Sequence, residues 1–452
     1  MESTKNKHLT IGMNEDIPFG QAVLLGLQHV LAMDVYVPPF IIATAVAMSS
    51  SDASGLIQST FLGAGIASLI QVLFFLKLPV CQGPSFVPVG AIIGIYFGAN
   101  GMDTVLRASI VGAAAVILLG FTGIYKYIVR HFIPTIVSGT IIMIVGLTLL
   151  PTAFTSNIYP ATETLSANQN MLLAAITAAI LILFSMLGDY FPGMGKYFRI
   201  SSVIIALVIG TVIASFMGGV DFQSVADASF FSLPKLVFLN YGLHFDVSAI
   251  LTMLVIYMVL LAETTGTWYA VSSVTEEPVT DEQINKGVIG EGLGCLVAAL
   301  VGTTPVTGYS TNAGIISITG VASKKVFVMA SIWFILLSFM GKLSALIHAV
   351  PSAVIGGVFA VVCVIILLSG FRVIKNEEFS ERELYIIGVP LIIAIGLLFM
   401  PAEIKESAPQ FLQYLLDSPI ALSAIAAIIM NKLIPVKKKG SSTFSVGRER
   451  YN

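Results

Sequence analysis

Charged residues are scarce in this sequence: Asp, Glu, Lys and Arg make up 11% of its 452 residues, where soluble domains carry about 25%. Hydrophobic residues make up 56%, and the mean hydropathy is +0.93. This composition excludes an ordinary soluble domain and predicts an integral membrane protein that crosses the bilayer many times. The first 18 residues also lack the basic region, apolar region and cleavage site of a signal peptide, so we expect no removed leader.

Residues that could support catalysis or hold a metal are also few. The three cysteines form no CxxC pair and are expected to be buried thiols (Cys81, Cys295 and Cys363). The five histidines are scattered, so they offer no nucleophile–base set and no metal-ligand cluster. The sequence has no G-x-x-x-x-G-K-[ST] motif for binding ATP phosphates. We therefore expect a transport protein that is not an enzyme, has no cofactor or metal, binds no nucleic acid and is driven by an ion gradient.

The apolar blocks, separated by Gly, Pro, Asn, Asp or charged residues, predict an all-α fold with about fourteen transmembrane segments. Their ranges are 20–47, 56–76, 84–98, 103–125, 132–150, 169–188, 200–218, 247–274, 284–302, 308–320, 325–346, 351–371, 384–400 and 418–434. Spans three and ten are shorter than the ~20 residues that a helix needs to cross a bilayer. Because Gly or Pro interrupts both, we expect them to be partly extended.

The basic residues predict the orientation of the chain. With the N-terminus inside, only Arg107, Lys235, Lys342 and Lys405 fall outside, and the other nineteen of the 23 Lys and Arg residues fall inside. Cytoplasmic loops carry an excess of Lys and Arg, and an odd number of spans would destroy this bias. Both termini are therefore predicted to be cytoplasmic, in a protein of the plasma membrane.

Fourteen spans divide into two units of seven, and the sequence has weak signs of such a repeat. Span five opens with Pro134-Thr135-Ile136-Val137-Ser138-Gly139, and span twelve opens with Pro351-Ser352-Ala353-Val354-Ile355-Gly356. Short spans three and ten are also seven apart. Because seven is odd, the second unit must be inverted in the membrane. Paired broken segments in two such halves indicate a transporter binding site.

Few polar side chains lie deep in the spans. A carboxylate inside a membrane is costly and indicates function. Glu263 of span eight precedes the hydroxyl-rich run Thr264-Thr265-Gly266-Thr267, and we predict that it binds the substrate directly. The other deep polar residues are Gln28, His29 and Asp34 in span one, Gln71 in span two, Glu291 in span nine and Asn312 in span ten.

Several of these positions have two interpretations. Gln28 and His29 form interhelical hydrogen bonds or take part in transport. Asp34 lies near the outer end of span one, just before two prolines, where it is either solvated or functional. Glu291, which has a glycine on each side, makes a helix–helix hydrogen bond or binds an ion.

The broken spans add main-chain groups to the predicted site. A half-helix that begins in mid-membrane presents free N–H groups and the positive end of its dipole. Together with a carboxylate, these groups suit a flat, polar molecule that forms hydrogen bonds along its edges, with Phe86 or Tyr309 stacking on its face. Gly314 is expected where span ten comes close to the helix of Glu263.

In combination, these residues resemble the nucleobase–ascorbate transporter family, also called nucleobase–cation symporters, which includes uracil, xanthine and urate permeases. The span-ten motif of that family runs Gln/Glu/Pro-Asn-x-Gly-x4-Thr-Arg/Lys/Gly, and residues 311–320 (TNAGIISITG) match every fixed position except the first. Gln28-His29 matches the family's Gln-His pair, and Glu263 matches its substrate-binding glutamate. Residues 302–305 (GTTP) match its Gly-Thr/Ser-x-Pro. The resemblance covers nearly the whole chain.

The resemblance implies a 7+7 inverted repeat in which a core domain holds the substrate and a gate domain lies beside it. The core would comprise 1–128 and 220–349 and the gate 129–219 and 350–436, followed by a cytoplasmic tail at 437–452. It also implies a site between spans three, eight and ten, and a homodimer formed through the gate. We expect substrate contacts from Ser85, Phe86, Glu263, Thr267, Tyr309, Ser310 and Thr311. We expect structural or coupling roles for Gln28, His29, Asp34, Glu291, Asn312 and Gly314.

Two departures from the family pattern bear on specificity. Thr311 replaces a carboxylate or amide, and Thr267 replaces a histidine of some proton-coupled uracil carriers. Gly320, at the end of the motif, is more like the purine and urate permeases. The sequence thus predicts a secondary active importer of a nucleobase, with a purine such as xanthine or urate slightly favoured over uracil. Protons are the favoured coupling ion and sodium is the other candidate. The alternative is an anion carrier of the sulfate/bicarbonate type, which an acidic Glu263 argues against.

Overall fold

The structure is a computed structural model, and it describes residues 9–99, 101–162, 164–191, 195–220, 222–234, 245–375, 377 and 379–434. The predicted tail at 437–452 lies outside the described residues. So do Lys5, Lys7 and Lys235, which entered the prediction of orientation.

Helices dominate the described part of the chain, which contains twenty α-helices and two short β-strands. The elements of the first half are α1 Phe19–Ala32, α2 Val37–Ala45, α3 Ser50–Leu69, β1 Gln82–Pro84, α4 Val89–Gly98, α5 Met102–Thr122, α6 Tyr125–Phe132, α7 Thr135–Thr152, α8 Ala167–Tyr190, α9 Gly195–Phe216 and α10 Gln223–Asp227. Those of the second half are α11 Val247–Thr275, α12 Asp281–Val301, β2 Val306–Gly308, α13 Thr311–Thr319, α14 Lys324–Ser338, α15 Gly341–His348, α16 Ser352–Ile374, α17 Glu381–Leu398, α18 Ala402–Glu406, α19 Gln410–Leu416 and α20 Pro419–Leu433. π-Helical turns extend α3 through Phe74 and α7 through Ile158.

Local sequence explains several helix ends. Capping boxes begin α8 at Ser166 and α12 at Thr280, because each hydroxyl accepts a hydrogen bond from the backbone N–H three residues on. Gly302 ends α12 in the left-handed conformation, with a φ of 87° that a side chain would disfavour.

The long apolar helices confirm an integral membrane protein. Among the described residues, eight segments are long and apolar enough to cross a bilayer, and two bent helix pairs raise that number to ten. The short broken segments at predicted spans three and ten are not among them. A total of fourteen crossings stays a prediction.

Two predicted spans differ in shape from continuous helices. Span one, predicted at 20–47, breaks between the end of α1 at Ala32 and the start of α2 at Val37. Pro38 and Pro39 explain the break, because proline fits the first turn of a helix and cannot continue one from the preceding turn. Span eleven, predicted at 325–346, consists of α14 and α15, which meet at an angle of 83°.

The two short spans pair with each other. β1 and β2 form an antiparallel two-stranded sheet in which Gln82 lies opposite Gly308 and Pro84 lies opposite Val306. Each strand leads into a short helix, α4 or α13. The strands are fully buried, and their pairing gives extended backbone inside the membrane the hydrogen bonds that lipid cannot supply. The predicted extended character of these spans is thus confirmed.

Helices pack in two sets of neighbours. In one set, α3 packs on α14 and α12, and α5 packs on α12 and α11. In the other, α7 packs on α16, α17 and α20, and α8 packs on α9 and α16. Small residues bring backbones together, since a Cβ on Gly370 of α16 would lie 2.5 Å from the backbone N of Met143 on α7. The first set falls in the predicted core ranges and the second in the predicted gate ranges, but the domain boundaries stay predictions.

Candidate functional site

A cavity of about 110 Å³ lies where the break in span one, α11, and the β2–α13 connection meet helices α7, α9 and α16. A single bound water needs about 10–15 Å³, so this volume suits a larger guest. One wall bears polar side chains, and the wall formed by α7, α9 and α16 is mainly aliphatic. The polar wall includes Asp34, Glu263, Thr267, Thr307, Ser310 and Thr311.

Glu263 is held in place from the other broken segment. The Ser85 hydroxyl donates a hydrogen bond of 2.7 Å to Oε2 of Glu263. The Ser85 oxygen in turn accepts one from the backbone N–H of Val87 at 3.1 Å. Glu263 lines the cavity, whereas Ser85 is not among its lining residues. Ser85 therefore acts on the cavity only through its contact with the carboxylate. The arrangement fixes the direction of an acceptor that faces the cavity.

The helix of Glu263 is joined to strand β2 by two threonines. Thr264 accepts a hydrogen bond from the backbone N–H of Gly308 at 3.2 Å, and Thr267 donates one to the Gly308 carbonyl at 2.9 Å. Thr267 also lines the cavity. The predicted hydroxyl-rich run therefore positions the β2 backbone beside Glu263, a role for Thr264 that sequence reasoning missed.

The start of α13 is fixed by three side chains. The Tyr309 hydroxyl donates to the Pro84 carbonyl at 2.9 Å, and its ring lies against Gly83, where a Cβ would be 2.5 Å from Cε2 of the tyrosine. Asn312 donates to the Tyr309 carbonyl at 2.7 Å, and its Oδ1 lies 3.2 Å from Nδ1 of His29. This geometry favours the interhelical hydrogen-bond interpretation of His29.

The two aromatic residues predicted to stack on a substrate both line the cavity. Phe86 is 5% exposed and stacks on Phe359 of α16, with centroids 6.0 Å apart and planes 14° apart. Tyr309 is 6% exposed. Each ring therefore has one side used in packing, and a cavity guest would contact the remaining edge or face.

Free backbone donors at the start of α13 are fewer than the sequence suggested. The N–H of Asn312 donates to the Tyr309 carbonyl at 3.2 Å, and that of Ala313 donates to the Ser310 carbonyl at 3.1 Å. These bonds arise because the chain already turns helically at Ser310 before α13 begins. Ser310, just before α13, and Thr311, its first residue, are the hydroxyl-bearing residues that this segment brings to the cavity.

The structure corrects the prediction that Asp34 is near the outer end of span one. Asp34 lies in the break between α1 and α2, is 6% exposed and lines the cavity. Its Oδ2 has no hydrogen-bond partner among the described residues. Pro38 and Pro39 begin α2 and do not continue α1, so the chain breaks at Asp34, which is buried between the two helices.

The expectation that Gly314 comes close to the helix of Glu263 is wrong. No heavy atom lies within 4 Å of a Cβ built on Gly314, and the residue is exposed. It lies two positions beyond buried Asn312, which is more than half a turn around α13. The glycine of span ten that lies against the helix of Glu263 is Gly308, where a Cβ would be 3.2 Å from Oγ1 of Thr264 and 3.3 Å from Cγ2 of Thr267.

Glu291 and Gln28 are not among the residues that line the cavity. Glu291 is 1% exposed, and its Oε2 accepts a hydrogen bond of 3.0 Å from Nε2 of Gln71, which favours the helix–helix interpretation. The glycine before Glu291 allows this approach, because Gly290 lies directly against the Gln71 side chain. Nε2 of Gln28 is buried without a partner in the described part of the chain.

The electrostatic character of the cavity is acidic. Asp34 and Glu263 both line it, and no Lys, Arg or His occurs among the described residues that line it. Such a site accepts hydrogen bonds or binds positive charge, and it disfavours an anion.

Comparisons with known proteins agree with this architecture. A family model described as a permease family, Xan_ur_permease, matches residues 20–403. Putative purine permease CPE0397 of Clostridium perfringens is 31% identical over 434 residues, 94% of this chain and 93% of that protein. Uric acid permease PucK of Bacillus subtilis is 29% identical, covering 93% and 97%. Xanthine permease XanP of Escherichia coli is 30% identical, covering 96% of each.

Among solved structures, the chain is similar to the transmembrane domain of a cyanobacterium bicarbonate transporter, BicA. The TM-score is 0.60 at 17% identity, with 93% of this chain and 100% of that chain covered. At this identity the likeness concerns the fold alone, and it confirms the predicted fold class with a core and a gate.

Proposed function

This chain belongs to the Xan_ur_permease family of permeases, and we propose that it is a secondary active transporter that imports a nucleobase across the cell membrane. The observation that supports this most is the carboxylate of Glu263, which faces a cavity between two broken segments and is oriented by Ser85 at 2.7 Å. A carboxylate accepts hydrogen bonds from ring N–H groups, and nucleobases present such groups along their edges.

The rest of the cavity fits a flat ring. Phe86 and Tyr309 offer aromatic contacts, Ser310 and Thr311 offer hydroxyls, and the α7, α9 and α16 wall offers aliphatic surface. We favour a purine over uracil, because the named relatives are a purine, a uric acid and a xanthine permease.

The same site supports our proposal that transport is coupled to a cation. An intramembrane carboxylate can hold a proton in one state of the cycle and a substrate N–H in another, so we propose proton symport, with sodium as the other candidate. We further propose that both termini are cytoplasmic and that two copies associate through the gate helices.

An anion carrier is the alternative, because the fold resembles that of a bicarbonate transporter. The two carboxylates in the cavity and the lack of a cationic side chain among its described lining residues argue against it. The positive ends of short helices α4 and α13 would favour an anion, but two nearby acidic groups oppose that effect.

Uptake of radiolabelled xanthine, hypoxanthine, urate, uracil and bicarbonate in a transport-deficient host tests the proposal. We expect accumulation of at least one nucleobase above its outside concentration, abolished by a protonophore, and no accumulation of bicarbonate. Replacing sodium in the medium distinguishes the coupling ions. Bicarbonate uptake without nucleobase uptake would refute the proposal in favour of the anion carrier.

A further inference from the structure

Three polar atoms around the cavity lack partners. Oδ2 of Asp34, Oγ1 of Thr307 and Oγ1 of Thr311 are buried without a hydrogen bond among the described residues, and all three residues line the same cavity. Buried polar groups in proteins are nearly always hydrogen-bonded, so unpaired ones grouped around one space pair with its occupant, either water or a ligand that displaces water.

Asp34 differs from the other two because it is an acid. Only 6% of its surface is exposed. It lies in the break between α1 and α2, whereas Glu263 lies on α11. Ser85 donates to Glu263, whereas Oδ2 of Asp34 has no donor among the described residues. A carboxylate in this setting needs donors from whatever occupies the cavity.

We propose that Asp34 is a substrate-binding and specificity-determining residue that accepts hydrogen bonds from a second edge of the ring bound by Glu263. The cavity then selects neutral rings with N–H donors on two edges and disfavours anionic ones. This inference rests on the proposed nucleobase transport and names the substrate class within it. Thr311, which presents only a hydroxyl, supplements Asp34 at the same cavity.

A cation site at Asp34 is the competing explanation. Cation sites made of protein use several oxygen ligands together. The described residues contain no group of three or more His, Cys, Asp or Glu side chains that could hold a metal ion, and the cavity of about 110 Å³ is larger than an ion requires. The observations therefore favour a ring.

Methylated analogues test which edge each carboxylate contacts. Binding of labelled xanthine is competed with xanthine and its 1-, 3-, 7- and 9-methyl derivatives, and binding of labelled uracil with its 1- and 3-methyl derivatives. The penalty for each methyl group is the ratio of its inhibitory concentration to that of the parent. It is measured in wild type, Asp34→Ser, Asp34→Asn and Glu263→Gln. Asp227→Asn, an exposed residue of α10, is the matched control.

In wild type we expect methyl groups on at least two edges of the ring to weaken binding. Asp34→Ser and Asp34→Asn should bind the parent base roughly 10- to 100-fold more weakly and should lose the penalty at one edge. Glu263→Gln should lose it at another edge, and Asp227→Asn should match wild type. Serine keeps a short acceptor, so binding stays measurable if the amide is not tolerated.

Three results would overturn the inference. One is an unchanged penalty pattern in both Asp34 variants at matched surface expression. Another is unchanged nucleobase affinity with altered sodium or proton dependence, which would make Asp34 an ion ligand. The third is binding of anionic urate more tightly than neutral hypoxanthine in wild type. Failure of the proposed function would differ from all three, since wild type would bind and import none of the bases.

Discussion

Replacing Glu263 with Gln keeps the size of the side chain and one carbonyl acceptor but removes its charge and its ability to bind a proton. The new amide also introduces a donor at a place where Ser85 now donates at 2.7 Å. The Gln side chain keeps the hydrogen bond from the Ser85 hydroxyl when its oxygen faces Ser85, and its NH2 then faces the cavity. The cavity then presents a donor to the N–H edge of the substrate.

The size of the effect follows from the bond that is lost. A hydrogen bond to a charged group contributes about 1.5–3 kcal/mol, and each 1.4 kcal/mol is about tenfold in affinity. We therefore expect nucleobase affinity to fall roughly 10- to 100-fold in Glu263→Gln. Accumulation against a gradient should fall further, since a side chain that cannot titrate cannot couple the substrate to protons.

The assay separates binding from coupling. Net accumulation is measured in cells at several external pH values, and exchange of labelled for unlabelled base is measured in vesicles without a gradient. We expect accumulation to be nearly lost and any remaining exchange to be independent of pH. Glu403→Gln, an exposed glutamate at α18, serves as the matched control.

Accumulation at the wild-type level in Glu263→Gln, at equal surface expression, would refute the assigned site. Weak binding that keeps its dependence on sodium would instead identify sodium as the coupling ion. Glu291 and Asp34 would then be the next residues to replace, although only Asp34 lines the cavity.

Further predictions concern the broken segments. Thr311→Gln should change the ranking of nucleobases in competition uptake, because it places a longer donor and acceptor at the cavity; an unchanged ranking would place Thr311 away from the substrate. Gly83→Ala should lower the free energy of unfolding by about 1–3 kcal/mol, because the new Cβ would lie 2.5 Å from the Tyr309 ring. It should also reduce uptake. Gly314→Ala, whose Cβ meets no atom within 4 Å, should retain both, and equal damage in the two alanine variants would contradict this assignment.

The sequence predicted the membrane class, most helix positions and the family. Helices long enough to span, such as α5 and α16, are evident from hydropathy because each contains a long apolar stretch with at most two charged residues. The shortness of spans three and ten and the isolation of Glu263 are equally local signals. Each can be seen within about 20 residues, the length that a spanning helix requires.

Residues that face the cavity could not be identified in this way. In a soluble helix the polar face marks the surface, but here lipid and protein interior are both apolar, so the sequence of α13 does not show which side of it is buried. Gly314 was therefore assigned to a contact with the helix of Glu263 that Gly308 makes. For Asp34 the sequence left two interpretations, solvated or functional, because the predicted span 20–47 did not show the break between α1 and α2.

Sequence alone determined that this chain is a membrane protein with a carboxylate and two short broken segments among its apolar spans, because composition and hydropathy are local properties of the sequence. Tertiary structure alone decided that Gln82–Pro84 pairs with Val306–Gly308, that Ser85 orients Glu263, and that Asp34 shares its cavity. These contacts join residues more than 170 positions apart. Strands of three residues have no periodicity from which such pairing could be inferred, so only the folded chain brings the two carboxylates to one cavity.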